Sequence, residues 1–308
     1  MVAQLFIGQG FPVGKVLQAA GLSSSTYYYR PSNGKKGKRG SEYTLTQSGH
    51  FISNTVVVDQ IKALLQMEFI DYGYLKVTHW LRLRKEYVIN PKKVYRLMKL
   101  HHLLNPKKRP KAPNRRWIKD WVPQPDQPFS YLEFDIKYIY IHAQRRNALL
   151  ISVIDVESRW LLKWKLAWSI RKGQVVALFK AILEHYPLPQ YVFVRNDNGS
   201  QFVAQAVREF LEEVDIIQEF TRPATPEQNG HIEAYHSIIE SAICSRYELQ
   251  NLEETDILFQ RWDRFYNMDR LHSGIGYLSP YEYLLQKGID MNEYLLYNKA
   301  GKQENFVT

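Results

Sequence analysis

Apolar positions recur along this chain with two different periods. The first hundred residues repeat every three to four positions, as helices do, and the stretch after about residue 130 opens on strict alternation. In FPVGKVLQAAGLSSSTYYYR, residues 11–30, Val13, Val16, Leu17 and Ala20 fall at i, i+3, i+4 and i+7 on one helical face. Gly21 ends that helix, and Ser23 or Ser24 can cap a second one running through the tyrosines. The pair fits a helix-turn-helix or a plain helical hairpin. Residues 30–50, rich in Gly, Ser and Lys, read as a flexible linker. An all-helical stretch follows. Val57, Ile61, Leu64 and Leu65 mark one helix, DYGY at 71–74 is a turn, LKVTHWLRLRKEY is a second helix and INPKKVYRLMKLHHLL a third. Asn90 suits its N-cap and Pro91 its first position. The third helix has an apolar stripe of Val94, Leu97 and Met98 and a basic stripe of Lys92, Arg96 and Lys99. A helix buried on one side and basic on the other suits a DNA groove, or it is simply a solvated basic helix.

Residues 105–128 hold six of the 14 prolines and seven Lys or Arg. Proline at that density breaks regular structure, so this is an extended linker and a domain boundary. Its basic residues Lys107, Lys108, Arg109, Arg115 and Arg116, interleaved with Trp117 and Trp121, could follow a nucleic-acid backbone. Beyond it, YLEFDIKYIYIH, NALLISVIDV and RWLLKWKLAW read as three successive strands. GQVVALFKAILEHY is a helix, QYVFVRN a strand, AQAVREFLEEV a helix, IIQEFT a short strand and PEQNGHIEAYHSIIESAICSRY one long helix. Three strands followed by helix–strand–helix–strand–helix make a mixed α/β sheet with helices packed on it.

Composition sharpens this picture. At 308 residues and 45% apolar, the chain is long enough for two domains with a sizeable core. No apolar run is long enough to span a bilayer, and the start carries no secretory pattern. The single Cys244 excludes an internal disulfide and a cysteine-rich zinc site, so a cytosolic protein is expected. The net charge of +10 is unevenly spread. Residues 1–120 carry 22 Lys and Arg against 6 Asp and Glu, a net +16; residues 121–308 carry 19 against 25, a net −6. A basic front half points to a polyanionic partner, with a solvated basic surface as the plain alternative.

The acidic half supplies the candidate chemistry. Asp135 lies in the first strand, Asp197 just past the fourth in VRNDNGSQF, and Glu233 on the long helix. Singly they read as an exposed strand position, a turn residue and a solvated helix residue. Two-metal phosphoryl transfer needs several carboxylates converging on ions about 3.5–4 Å apart. Between Asp197 and Glu233 lie 35 residues. Here the chain resembles the insertion-sequence transposases of the retroviral-integrase superfamily, the Asp-Asp-Glu enzymes. FDIKYIYI with LISVIDVESRWLLKW resembles the family's first catalytic Asp and following hairpin, and RNDNGSQF its Asp-x-Gly-Ser-Gln-Tyr block. TRPATPEQNGHIEAYHSIIESAI resembles the loop and helix bearing the Glu at the family's 35-residue gap. FYNMDRLHSGIGYLSPYEYL is similar to its Tyr-Asn-x-x-Arg-x-His tail. The front half resembles the helical region that precedes the core in the second reading frame of such elements.

The resemblance implies an RNase H-like fold, a five-stranded mixed sheet flanked by helices, preceded by an all-helical DNA-binding region. It implies Asp135, Asp197 and Glu233 as catalytic metal ligands for Mg2+, with Mn2+ a usual substitute. Asn198 and Gly199 would form the turn that aims Asp197, Ser200 and Gln201 are candidate DNA contacts, and Asp155 is structural. The implied activity is metal-dependent DNA cleavage and strand transfer at element ends. Its partners would be terminal-repeat and target DNA, further copies of the chain on DNA, and an upstream-frame transposase protein, and its place the cytoplasmic nucleoid. The alternatives are an RNase H-like nuclease without strand transfer and a non-catalytic DNA-binding derivative. The expected divisions are a helical hairpin with linker at 1–50, a helical DNA-binding domain at 51–104, the linker at 105–128, the catalytic core at 129–248 and a C-terminal helical segment at 249–308. Thr225, Pro226 and Gln228 fit a capping box, so the catalytic helix could start as early as Pro226. One position departs from the family. Glu240 stands seven residues after Glu233, where a Lys or Arg is usual, and should project beside it. His236 or Arg246 is the expected replacement clamp.

Overall fold

The computed structural model describes residues 2–29, 40–106, 123–222 and 226–292, the side chains of 226 and 227 excepted, and divides into two compact units, Met1–Ser41 and Glu42–Thr308. The first unit holds α1 (Val2–Gly8), α2 (Val13–Ala19) and α3 (Ser24–Tyr27). Gly21, at φ +63, follows α2 as expected, and Ser23 caps α3 by accepting from the Thr26 amide. The second helix does not run through the tyrosines. It is one turn with no buried residue, and a helix that short is held only by tertiary packing.

The second unit opens on β1 (Tyr43–Thr46) and β2 (Phe51–Ser53), followed by α4 (Asn54–Gln66), α5 (Tyr74–Lys85), β3 (Tyr87–Val88) and α6 (Pro91–Leu100). The three expected helices are present. Tyr43–Thr46, expected as linker, is instead a strand, and the strands form an antiparallel sheet in the order β2-β1-β3. Strands this short carry too few residues for alternation to show in the sequence. Val57, Ile61 and Leu64 of α4 and Val94, Leu97 and Met98 of α6 are buried together; Leu65 only packs against their edge. Asn90 caps α6 by accepting from the Lys92 amide at 2.9 Å, with Pro91 in its first turn.

The larger sheet contains β4 (Tyr131–Ile141), β5 (Arg146–Asp155), β6 (Leu161–Ala167), β7 (Val192–Asn196) and β8 (Ile216–Phe220). Its order is β6-β5-β4-β7-β8: β4, β5 and β6 pair antiparallel, and β7 and β8 join β4 in parallel. This is the mixed five-stranded sheet expected above. α7 (Lys172–His185) connects β6 to β7, and α8 (Gln205–Glu213) connects β7 to β8. They cover one face, where Leu132 and Phe134 of β4 meet Phe179 and Val207. On the other face Ile139 and Ile141 meet α9 (Gly230–Ile239) and α10 (Leu252–Met268). α11 (Pro280–Gln286) follows, started by a capping box between Ser279 and Glu282. Among the described residues no helix is long and apolar enough to cross a membrane.

The expected long helix is interrupted. A 3-10 turn, Pro226–Asn229, precedes α9, and a π-helical turn, Glu240–Cys244, ends it. Gln228 accepts from the Arg222 amide at 2.7 Å, and Thr225 lies outside the described residues. The π turn keeps Ala242 and Ile243 in the same core as Ile232, Tyr235 and Ile239. It also sends the Ser241 hydroxyl to Asp71 at 2.9 Å. An added residue per turn thus serves two packing demands that a regular helix would set on different faces.

The tail block docks the helical region on the sheet. Asn267 accepts from the Leu161 amide (2.8 Å) and donates to its carbonyl (3.0 Å), tying α10 to β6. The buried Arg270 meets Asp71 through both terminal nitrogens, at 2.7 and 3.1 Å, Leu271 enters the core of α4–α6, and Tyr277 stacks on His79 at 3.7 Å. Burial alone would raise the Asp71 pKa, but the Arg270 charge and hydrogen bond outweigh it and leave it below 3.8. A carboxyl depressed on folding contributes stability above its unfolded pKa and loses it as pH falls through the folded value. Arg270→Ala should therefore cost about 3–5 kcal/mol in urea unfolding at pH 7, because it strands a buried charge. The difference from the unaltered chain should shrink below about pH 4.

Candidate active site

β4 and α9 lie alongside each other. Strand alternation turns Glu133, Asp135 and Lys137 to the face that carries Ile139 and Ile141. Each of the three meets α9 or its extension in order. Glu133 accepts from the His231 and Ile232 amides at 2.9 and 2.8 Å and lies 3.0 Å from His231 Nδ1. Asp135 lies 3.7 Å from His236 Nδ1, and Lys137 Nζ lies 2.9 Å from Glu240 Oε2. Four residues of strand and nine of helix each advance about 13 Å, so the two elements run in step.

Glu133 is fully buried. Asn229, at the N-cap position of α9, makes no capping bond with its side chain. The orphaned amides of the first turn are met by Glu133 from the neighbouring strand, and a carboxylate there also suits the helix dipole. Glu133 is not among the residues that the sequence singles out. The available signal is three charged residues at alternate positions within an otherwise apolar strand.

Asp135 is three-quarters buried, and Asp197 and Glu233 are exposed. Burial raises the Asp135 pKa to about 7; the Ile136 amide opposes this, while the charges of Asp197, Glu233 and Glu133 add to it. The charges of Asp197, on the turn, and Glu233, on the helix, thus reach Asp135 on the strand. Asp197 is also the turn residue it resembles: its Oδ1 accepts from the Gly199 amide at 2.9 Å, and Asn198 donates to the Thr221 carbonyl. A Cβ on Gly199 would stand 3.0 Å from Asp197 Oδ1 and 2.6 Å from Gln201 Nε2, so the close turn suits glycine. Asp155 is structural, its buried carboxylate accepting from Phe129 and Ser158.

The expected clamps are placed otherwise. His236 is largely but not fully buried, and burial followed by the Lys137 charge lowers its pKa to about 3, so it is a neutral ring beside Asp135 rather than an ion-pair partner. Arg246 donates to the Ile70 carbonyl at 2.7 Å, toward the helical region. The cation that meets Glu240 is Lys137. Among the described residues no group of three or more His, Cys, Asp or Glu stands close enough to hold a metal ion as arranged. Lys92, Arg96 and Lys99 are exposed on α6, opposite its buried stripe. Ser200 is exposed, and Gln201 is half-buried beside Gly199. Lys107, Lys108, Arg109, Arg115 and Arg116 lie outside the described residues.

Residues 110–226 match an integrase core domain, residues 214–280 a second integrase core domain model, and residues 54–111 an HTH-like domain. The transposase of insertion sequence element IS904 from Lactococcus lactis is 22% identical over 75% of this chain and 94% of that protein. Transposase InsD of an IS2 element from Escherichia coli is 26% identical over 71% and 75%. The catalytic core domain of BIV integrase aligns at 16% identity and a TM-score of 0.41, covering 52% of this chain and 96% of that one. The chain belongs to the integrase-core family of polynucleotidyl transferases, as a transposase of the insertion-sequence kind.

Glu133→Gln should lower stability by about 1–3 kcal/mol in chemical denaturation, since the charge that strengthens both amide bonds to Oε2 is lost and the oxygen facing His231 Nδ1 becomes a donor. Hydrogen exchange should quicken first at the His231 and Ile232 amides.

Proposed function

We propose that this chain cleaves DNA at the ends of an insertion sequence and joins the freed ends to target DNA, with Asp135, Asp197 and Glu233 as the catalytic carboxylates. The carrying observation is that the integrase-core matches span a mixed five-stranded sheet with Asp135 on its strand β4, Asp197 in the turn after β7 and Glu233 on α9, the helix alongside β4. The donor set fits a hard divalent cation. It is all oxygen, and burial, helped by the neighbouring carboxylate charges, favours the protonated form of Asp135, a preference that such a cation would reverse. Asp135, Asp197 and Glu233 would hold magnesium, with manganese a substitute. When bound, such ions lower the pKa of an attacking water or 3′-hydroxyl and stabilise the leaving 3′-oxygen.

The residues of the chain supply placement. β4 and the Asp197 turn fix two carboxylates on the sheet, and Glu133 anchors the first turn of the helix that brings the third. Hydrolysis exposes a 3′-hydroxyl at the element's end, and that hydroxyl then attacks a second phosphodiester. Only the nucleophile differs, so one set of carboxylates serves both reactions. The exposed basic stripe of α6 contacts DNA phosphates, and Lys107, Lys108, Arg109, Arg115 and Arg116 extend that contact. The chain works as a homo-oligomer on paired ends, with an upstream-frame transposase protein as a further partner, at the cytoplasmic nucleoid.

The test incubates the full chain with linear element-end DNA and magnesium, scoring nicking and joining separately. Asp135→Asn, Asp197→Asn and Glu233→Gln should each reduce both by at least ~10²-fold while leaving DNA binding. Strand transfer retained in any of them would remove that residue from the set. Nicking without joining in the unaltered chain would favour a plain nuclease, and binding without nicking a non-catalytic derivative. Separately, replacing Lys92, Arg96 and Lys99 with Gln should weaken duplex binding and flatten its dependence on salt. The slope of log affinity against log salt should fall by about 0.9 for each phosphate that is no longer neutralised. An unchanged slope would mean that α6 does not touch phosphate.

A further inference from the structure

We infer that Lys137 and Glu240 form a charge latch beside the catalytic carboxylates: Glu240 holds Lys137 in the free protein, and a DNA phosphate replaces Glu240 when DNA binds. The inference rests on the reading of DNA as substrate given above. It starts from an asymmetry in the pair. Lys137 Nζ and Glu240 Oε2 are 2.9 Å apart, yet the lysine side chain is 17% exposed and the glutamate side chain 60%. The lysine stem is packed on a central strand of the sheet, whereas the glutamate reaches in from solvent. An ion pair with one partner so exposed is weakly held and easily exchanged. Glutamate can swing away while the lysine stays.

Place and charge point the same way. Lys137 follows Asp135 by two residues on the same face of β4, about 7 Å further along. That face of β4, α9 and the π turn together carry Glu133, Asp135, Glu233 and Glu240, acidic groups that repel a phosphodiester. Arg246 donates to Ile70 and Arg195 to Glu219 and the Gln228 carbonyl, so both guanidinium groups are engaged elsewhere. A strand of DNA entering this acidic site needs a cation beside it, and Lys137 stands there with a displaceable partner. Glu240 in turn prevents an unpaired, largely buried ammonium in the free chain.

A double-mutant cycle with the full chain tests this. The probe is a fluorescein-labelled linear DNA duplex, titrated in calcium at low and moderate salt. Glu240→Gln should tighten binding by roughly 5-fold at low salt, the scale of one partly exposed ion pair, and by less as salt screens it. Lys137→Met, which keeps the apolar stem, should weaken binding by a similar factor, and Lys137→Arg should restore it. In the Lys137→Met background, Glu240→Gln should have no effect. An equal gain from Glu240→Gln with and without Lys137 would overturn the latch, because Glu240 would then act on DNA directly. Unaltered binding by Lys137→Met would overturn it too. In both of these cases the unaltered chain binds duplex in a salt-dependent way, so the nucleic-acid reading survives. No duplex binding by the unaltered chain would sink that reading and the latch together.

Discussion

The geometry of the candidate active site depends on one buried carboxylate. Glu133 sits in the middle of the sheet with no solvent exposure and accepts the first amides of α9. A charge so placed is tolerated only when it is fully hydrogen-bonded, and the helix start is what bonds it. The same contact sets the register of α9 on β4. With that register, Asp135 comes beside His236 and Lys137 beside Glu240. Shifting the helix by one turn would leave Glu133 unsatisfied, so the site geometry inherits the cost of burying that charge.

A second constraint joins the helical region to the catalytic sheet. The loop before α5 supplies Asp71 and Tyr72, and the tail after α10 supplies Arg270 and Leu271. The ion pair, the Leu271 amide bonded to the Tyr72 hydroxyl and the apolar insertion of Leu271 all fall within a few residues. The π turn adds Ser241 on Asp71. A tail block marked in the sequence only by its resemblance is therefore a docking device. It holds the basic helix α6 and the acidic site within one compact unit.

The uneven charge of the chain takes on a physical sense here. An acidic site proposed to bind divalent cations would repel the polyanion it is proposed to cut, and the basic stripe of α6 would offset that repulsion at a distance. Close to the carboxylates the compensation falls to single groups. His236 is stripped of charge by burial, which leaves Lys137 as the ammonium on that face of β4.

Much of this was legible in the sequence because it is written in local periodicity. Alternation marked β4, the apolar stripe of Val94, Leu97 and Met98 marked α6, Asn90 and Pro91 marked its start, and a 35-residue gap joined Asp197 to Glu233. Such signals depend on near neighbours in the chain, so they survive without a fold. β1, β2 and β3 were invisible, being too short for a period to register, and the π turn at Glu240 arises from packing demands that no run of residues displays. The partners of Glu133, Lys137 and Asp71 lie 98, 103 and 199 residues away, where spacing carries no information about contact. Residue types and their local order determined which elements form and which carboxylates are candidates; burial and register, set only when strand and helix pack, decided which charge is held, which is neutralised and which is left facing the site.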